Sequence, residues 1–413
     1  MLSARCTVLS PRIPHPASRI PHPVPVPVLP RVALLIETSN AYARGLLGGI
    51  QAYIRENKPW SIYLAEHGRG DESPPWLNKW KGDGVIARIE NAAIAKAIAA
   101  LKIPVVDVSA GRLVPKLPWC EIDEDGIARL AVEHFEERGF KHFAWCGDAR
   151  FVWSKMRGDA WIAALAEGGH SVHSYETPGK FAPDEDAETD AIAKWIATLP
   201  RPVAIFTCYD IRGRQVLDAC RRTNQQVPDE VAVLSVDNDE LLCSLAHPPL
   251  SSIIPNALRI GYEAASLLDR MMAGEKPGPE RHLIPPTGLV TRQSTDVLAV
   301  EDRNVARAVR FIREHACEGI CVDDVVRDAG LSRRLLEGRF KSHLGRSPHE
   351  EITRVQILRV KELLAHTDLP LAEVADRTGF RYVEYLSAVF KNKAGIPPGQ
   401  FRNEHRPKKR GKQ

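Results

Sequence analysis

The chain has 413 residues, 44% hydrophobic and 26% charged, a length for about two to three domains and a composition of ordinary globular folds. No run approaches the roughly 18 uncharged apolar residues of a membrane-spanning helix, which excludes that class. The net charge of +4 is unevenly placed: from Asn304 onward 22 basic side chains face 14 acidic ones, a local +8 against −4 for the rest, as expected of a polyanion-binding module on a mildly acidic body.

Residues 11–30, PRIPHPASRIPHPVPVPVLP, favour a solvated polyproline conformation, so residues 1–30 are read as a disordered extension outside the fold. Prolines interrupt the apolar helix that a secretory signal requires. Eight scattered cysteines form no CxxC pair and no disulfide framework, which fits reduced thiols and a cytoplasmic location. Cys317 and Cys321, near His315, are read as buried helix-end thiols, because zinc needs four ligands at workable spacing. No metal or other cofactor is expected.

From Arg31, strand-like runs alternate with amphipathic segments. The runs are VALLIE (32–37), SIYLAEH (61–67), GVIARI (84–89), PVVDVS (104–109), KHFAWCG (141–147), SVHSYE (171–176), PVAIFTC (202–208) and VAVLSVD (231–237). Helices are predicted near 43–57, 91–101, 126–138, 156–167, 187–198, 212–224 and 257–273. This alternation predicts an α/β domain of two successive lobes over 31–292, with ligands bound beyond the carboxyl ends of the strands. His67 and His134 are placed in loops or on helix surfaces. The glycine-rich ARGLLGGI (43–50) lacks the G-x-G-x-x-G spacing, and P-loop and GxSxG signatures are missing, so an enzyme is not expected.

The strand signal stops before a linker read at 293–303, and an all-α domain follows over 304–404 with a basic tail at 405–413. Val305, Val309, Ile312 and Ala316 share one helix face. VDDVVRDAGLS (322–332) aligns with LAEVADRTGFR (371–381) at an offset of 49, and Phe340, Lys341, Gly345 and Pro348 align with Phe390, Lys391, Gly395 and Pro398 at 50. Each unit reads as helix, glycine turn, second helix, which is a helix-turn-helix. SPHEEITRVQILRVKELLAHT (347–367) forms a capped helix between them, long enough to place two reading helices in successive major-groove segments. Leu336, Phe340, Leu386 and Phe390 are predicted core.

This doubled unit resembles the AraC/XylS-type DNA-binding domain. A plain helical bundle would account for the Phe and Gly positions but not for exposed Arg333, Arg334, Arg339 and Lys341. The resemblance implies Ser332 as cap of a first recognition helix presenting Arg333, Arg334 and Glu337, and Arg381, Tyr382, Glu384, Tyr385 and Ser387 as candidates in the second. Lys341, Lys391 and Lys393 suit phosphates. Family members often carry arginine just past the middle of each recognition helix, where Gly338 and Ala388 stand here.

The segments RGLLGGIQAYIRE (44–56), FVWSKMRGDAW (151–161), AIFTCYDIRGRQVLDAC (204–220) and VAVLSVDNDELLC (231–243) resemble the LacI/periplasmic-binding-protein sensor fold. The resemblance implies that Arg157, Asp210 and Asp237 bind an inducer, Asp210 and Asp237 each ending a strand, with Trp153 stacking on a sugar ring. Asn40, Tyr42 and Arg44 would close the pocket from the other lobe. The combination resembles bacterial regulators of pentose catabolism and implies a DNA operator, a sugar such as xylose as effector, a homodimer, contact with RNA polymerase and activation of carbohydrate genes. A solute-binding protein, or a sensor for another sugar without direct activation, is the competing reading; steep salt dependence of DNA binding separates them.

Overall fold

A computed structural model describes residues 29–66, 68, 72–177, 184–278, 281–296, 302–367 and 369–405. Residues 1–28, His67 and residues 406–413 lie outside them. The first part runs β1 (Arg31–Leu35), α1 (Ala41–Glu56), β2 (Ser61–Leu64), β3 (Gly84–Ala87), α2 (Ala92–Ala100), β4 (Val105–Asp107), β5 (Trp119–Ile122), α3 (Glu124–Glu136), β6 (His142–Gly147) and α4 (Val152–Glu167). It continues through β7 (Val172–Glu176), α5 (Glu185–Ile196), β8 (Val203–Thr207), α6 (Asp210–Arg222), β9 (Val231–Val236), α7 (Glu240–Leu245), β10 (Ser251–Ile254), α8 (Ala257–Met272), β11 (Arg281–Ile284) and β12 (Gly288–Val290).

Two six-stranded sheets result, ordered β11-β5-β4-β3-β1-β2 and β12-β10-β9-β8-β6-β7. All pairs are parallel except β10 with β12. Helices cover both faces, so central strands such as VAIFT (203–207) and VAVLSV (231–236) are buried throughout and read as unbroken apolar runs. The lobes are not simply successive, as the sequence implies. The chain enters the second lobe after β5, α8 packs back onto β3, β4 and β5, β11 joins β5, and β12 returns to β10. Short β5, β11 and β12 carry little periodic signal, which hides this crossing.

The glycines of ARGLLGGI serve packing. A Cβ on Gly49 would lie 1.9 Å from the Leu258 carbonyl oxygen, and one on Gly261 2.0 Å from that of Leu46. A Cβ on Gly45 would lie 2.7 Å from the Ala257 Cβ. Helices α1 and α8 therefore touch backbone to backbone.

The helical part comprises α9 (Arg303–His315), α10 (Val322–Ala329), α11 (Arg333–Leu344), α12 (Pro348–His366), α13 (Leu371–Arg377), α14 (Val383–Ala394) and α15 (Pro398–His405). Gly330, Gly345, Gly379 and Gly395 all have positive φ, between 66° and 79°, so the repeated glycines mark left-handed turns that end each helix. Val305, Val309, Ile312, Leu336 and Phe340 fill one core, while Ile357, Val360, Leu386 and Phe390 fill the other. Ser347 and Glu350 form the expected capping box of α12, whose 19 residues span roughly 28 Å.

Three expectations are corrected. His134 is buried on α3, with Nε2 2.8 Å from Thr295 Oγ1. Residues 293–296, read as the start of the linker, pack into the second lobe: Ser294 and Thr295 are buried, and Arg138 Nε donates to the Thr295 carbonyl at 3.0 Å. Cys321 is exposed and Cys317 half-buried, and Cys321 precedes α10 as its cap, with its backbone N–H donating to Asp324. Among the described residues no group of His, Cys, Asp and Glu is arranged to hold a metal, and no helix is long and apolar enough to cross a membrane.

Candidate functional site

A narrow cleft opens between the lobes, lined by Tyr42, Arg88, Ala110, Glu121, Ile122, Glu124, Trp153, Arg157 and Asp237. It lies at the carboxyl ends of β3, β5 and β9, where ligands of parallel sheets collect. Glu124 begins α3, and its carboxylate accepts two hydrogen bonds from Arg157 of α4, at 2.7 and 2.9 Å. Arg157 also donates to the Cys208 carbonyl and lies 5.8 Å from the Trp153 ring centroid. Trp153 stacks on Phe151 and meets Tyr209 edge-on, which fixes its ring beside the cleft. From the other lobe, the Tyr42 hydroxyl donates to Glu121 at 3.0 Å, and Arg88 is held by Glu37 at 2.8 Å.

Asp237 follows β9 with a φ of 106°, and Asn238 has 46°. A non-glycine residue held there costs on the order of 1–3 kcal/mol and marks backbone fixed for a purpose. Asp210 does not line the cleft and does not end a strand. It begins α6, is buried, and accepts from the Ser252 hydroxyl at 2.6 Å and the Asp239 N–H at 2.7 Å, so it fixes the turn that carries Asp237. Asn40 caps α1, accepting from the Ala43 N–H at 2.8 Å, and is absent from the cleft lining. Arg44 is half exposed and bridges the lobes to Asp239 at 3.5 Å.

The structure thus gathers Tyr42, Trp153, Arg157 and Asp237, and leaves Asn40, Arg44 and Asp210 around them. Sequence reasoning missed Arg88, Glu121 and Glu124. The signal for two of them was a lone charge in a short apolar strand, VIARI and WCEI.

Burial pushes the Glu121 and Asp107 carboxyls up to about 7, and burial together with the charge of Asp237 raises Asp210. Each is favoured protonated when folded, so stability from these groups falls as pH rises from the unfolded value near 4 through about 7. His134, lowered by burial to about 3, opposes this only below its unfolded value of about 6.5. Between pH 6.5 and 8 the carboxyl effect stands alone. The unfolding free energy of the sensor, read from urea titrations, is expected to fall across that interval by on the order of 1 kcal/mol per carboxyl, and the fall to shrink in Glu121→Gln.

The second candidate surface is the helical part. Ser332 caps α11, accepting from the Leu335 N–H at 3.4 Å. Arg333 is tied to Asp323 at 3.0 Å and Glu337 at 3.1 Å, and Arg339 to Asp302 at 2.8 Å, whereas Arg334 and Lys341 are exposed. On α14, Glu384 and Tyr385 are exposed and Ser387 is half-buried, and just before the helix Arg381 lies over the Tyr382 ring at 5.4 Å. Lys391 and Lys393 are exposed in the last turn of α14.

Comparison with known proteins finds relatives for both parts of the chain. Residues 31–116 match the XylR N-terminal domain, 132–295 a periplasmic binding protein-like domain, and 325–404 a helix-turn-helix domain. The xylose operon regulatory protein of Escherichia coli strain K12 is 30% identical over 381 residues, covering 90% of this chain and 97% of that protein. Its counterpart in Haemophilus influenzae is 30% identical over 380 residues, covering 90% and 98%. The structure of the xylose-binding transcription activator XylR superimposes with a TM-score of 0.76 at 30% identity, over 92% of this chain and 99% of that one. A cellobiose complex of the regulator CelR shares the sensor fold, with a TM-score of 0.54 at 22% identity over 64% of this chain and 84% of that one. The chain therefore belongs to the family of xylose operon regulatory proteins, sugar-responsive transcription regulators that join a periplasmic-binding-protein-like sensor to an AraC-type helix-turn-helix domain.

Proposed function

We propose that the cleft binds an uncharged pentose, xylose first among them, and that its occupancy sets how paired subunits present their helix-turn-helix units to an operator. The observation that carries the sugar class is the lining itself. Three carboxyl groups, Glu121, Glu124 and Asp237, face two guanidiniums already paired to carboxylates, beside the rings of Trp153 and Tyr42. Carboxylate and guanidinium groups engage adjacent hydroxyls in pairs, and a ring stacks on the apolar face of a sugar. A phosphorylated sugar would meet excess negative charge. The names of the relatives support xylose. Thermal-shift screening of pentoses and hexoses tests the class: D-xylose or a related pentose raises the melting temperature, and a response confined to hexoses or sugar phosphates refutes it.

Asp237 and Arg157 are the principal ligands in this reading, with Glu121, Glu124, Arg88, Tyr42 and Trp153 around them; Arg44 and Asn40 support closure of the first lobe. The domains run from the sensor, through Asp296, to a DNA-binding part over 302–404. Homodimers and contact with RNA polymerase belong to the same proposal, as an activator requires.

The route from cleft to DNA runs along α3. Its first residue, Glu124, holds Arg157, and roughly 15 Å away its last turn holds Thr295 through His134. The Thr295 hydroxyl donates to Ser251 of β10 at 2.7 Å, and the next residue, Asp296, pairs with Arg354 of α12 at 2.6 Å. Arg354 in turn pairs with buried Glu351, and Asp229 of the sensor holds Arg313 of α9 at 2.7 Å. Thr295→Val removes both hydroxyl contacts at similar volume. It is expected to leave sugar affinity within about twofold and to bring the ratio of DNA dissociation constants with and without sugar towards one. An unchanged ratio removes α3 from the route.

A further inference from the structure

At an offset of 50 the two recognition helices agree in their exposed face as well as in their core. Leu336 and Phe340 correspond to Leu386 and Phe390, all fully buried. One position earlier, the third residue of each helix is Leu335 in α11 and Tyr385 in α14, 44% and 53% exposed. One turn further along the same face stand Gly338 and Ala388, both exposed, and a Cβ on Gly338 would have no atom within 4 Å. Each helix therefore offers a large, mostly apolar side chain beside a shallow step.

The surroundings say what covers these side chains. Lys341 in the last turn of α11, and Lys391 and Lys393 in the last turn of α14, add cations to the same two helices, which suits a polyanion. Arg333 and Arg339 are engaged by Asp323, Glu337 and Asp302, which leaves Arg334, next to Leu335, as the outward guanidinium at the start of α11. Its counterpart beside Tyr385 is Glu384, and Tyr385 is steadied by the Phe380 ring at 6.0 Å. In the major groove only thymine presents a methyl group, guanine takes arginine, and the cytosine amino group donates to glutamate.

We propose that each recognition helix reads a thymine C5-methyl group, through Leu335 in α11 and Tyr385 in α14, with Arg334 selecting an adjacent guanine and Glu384 an adjacent cytosine. This rests on the DNA-binding reading of the helical part. The two halves of one subunit's site thus share a thymine and differ in its neighbour.

The experiment uses the full chain and the duplex it selects from a random-sequence pool. Each thymine is replaced in turn by deoxyuridine, which removes only the methyl group. In each half, one replacement is expected to weaken binding about threefold to fivefold, the effect of exposing one buried methyl. Leu335→Ala abolishes that sensitivity in the first half alone, and Tyr385→Ala in the second alone, with melting temperatures unchanged because both side chains are exposed. Binding that no deoxyuridine weakens, or variants that keep the parent's sensitivity, overturns the proposal while leaving DNA binding intact; either result would point to a protein partner for these side chains. Failure to select any duplex overturns the DNA-binding reading beneath it.

Discussion

Asp237→Ala is expected to weaken pentose binding about 100-fold while leaving DNA affinity in the absence of sugar unchanged. A charged hydrogen bond contributes about 1.5–3 kcal/mol, and a carboxylate that engages two adjacent hydroxyls loses both at once, which gives roughly 3 kcal/mol. The substitution does not disturb the fold of the DNA-binding part, because Asp237 sits on the turn after β9 and its neighbours Asn238 and Asp239 are held by Ser252 and Asp210. Isothermal titration with D-xylose and fluorescence anisotropy with a selected duplex read the two quantities separately. Equal loss of both would show that Asp237 holds the structure together rather than the ligand. Arg157 is a poorer probe, since its removal would leave Glu124 buried without its cation, a defect that costs about 3–5 kcal/mol in stability.

Gly49→Ala should be the most damaging single-methyl change in the sensor. The added Cβ would stand 1.9 Å from one backbone oxygen and 2.7 Å from the Tyr262 nitrogen, atoms that no rotamer change can move. Overpacking of this kind costs about 3 kcal/mol, which lowers the melting temperature of a sensor of this size by roughly 6–12 °C. Gly48→Ala is the control, because nothing lies within 4 Å of its Cβ direction and alanine is the better helix former. If the two variants melt together, the close approach of α1 and α8 is not tight in solution.

Much of this architecture is legible in the residues, for reasons that differ from element to element. Strands β8 and β9 are buried on both faces, so their unbroken apolar runs identify them. The doubled helix-turn-helix is legible because two geometric demands recur: a left-handed glycine at Gly330 and Gly379, and a buried phenylalanine at Phe340 and Phe390. Strand β5 is hidden because its four residues include Glu121, tolerated there through Tyr42 and the Ile122 N–H. Asp210 and Asp237 look alike in sequence, each following an apolar strand, but Asp210 begins a helix and is spent on Ser252 and Asp239. The state of Arg333 and Arg339 is illegible because it depends on Asp323 and Asp302, which other elements bring near. His134 gave no signal of burial because its partner, Thr295, lies 161 residues away.

The central claim is that sugar in the cleft and DNA on the helical part are linked through one protein equilibrium. The most direct measurement is the dissociation constant of the selected duplex with and without saturating D-xylose, paired with that of D-xylose with and without duplex. Linkage predicts that both ratios differ from one and equal each other, since the coupling free energy is shared. Two ratios of one, in a protein that binds D-xylose and duplex separately, would contradict the account.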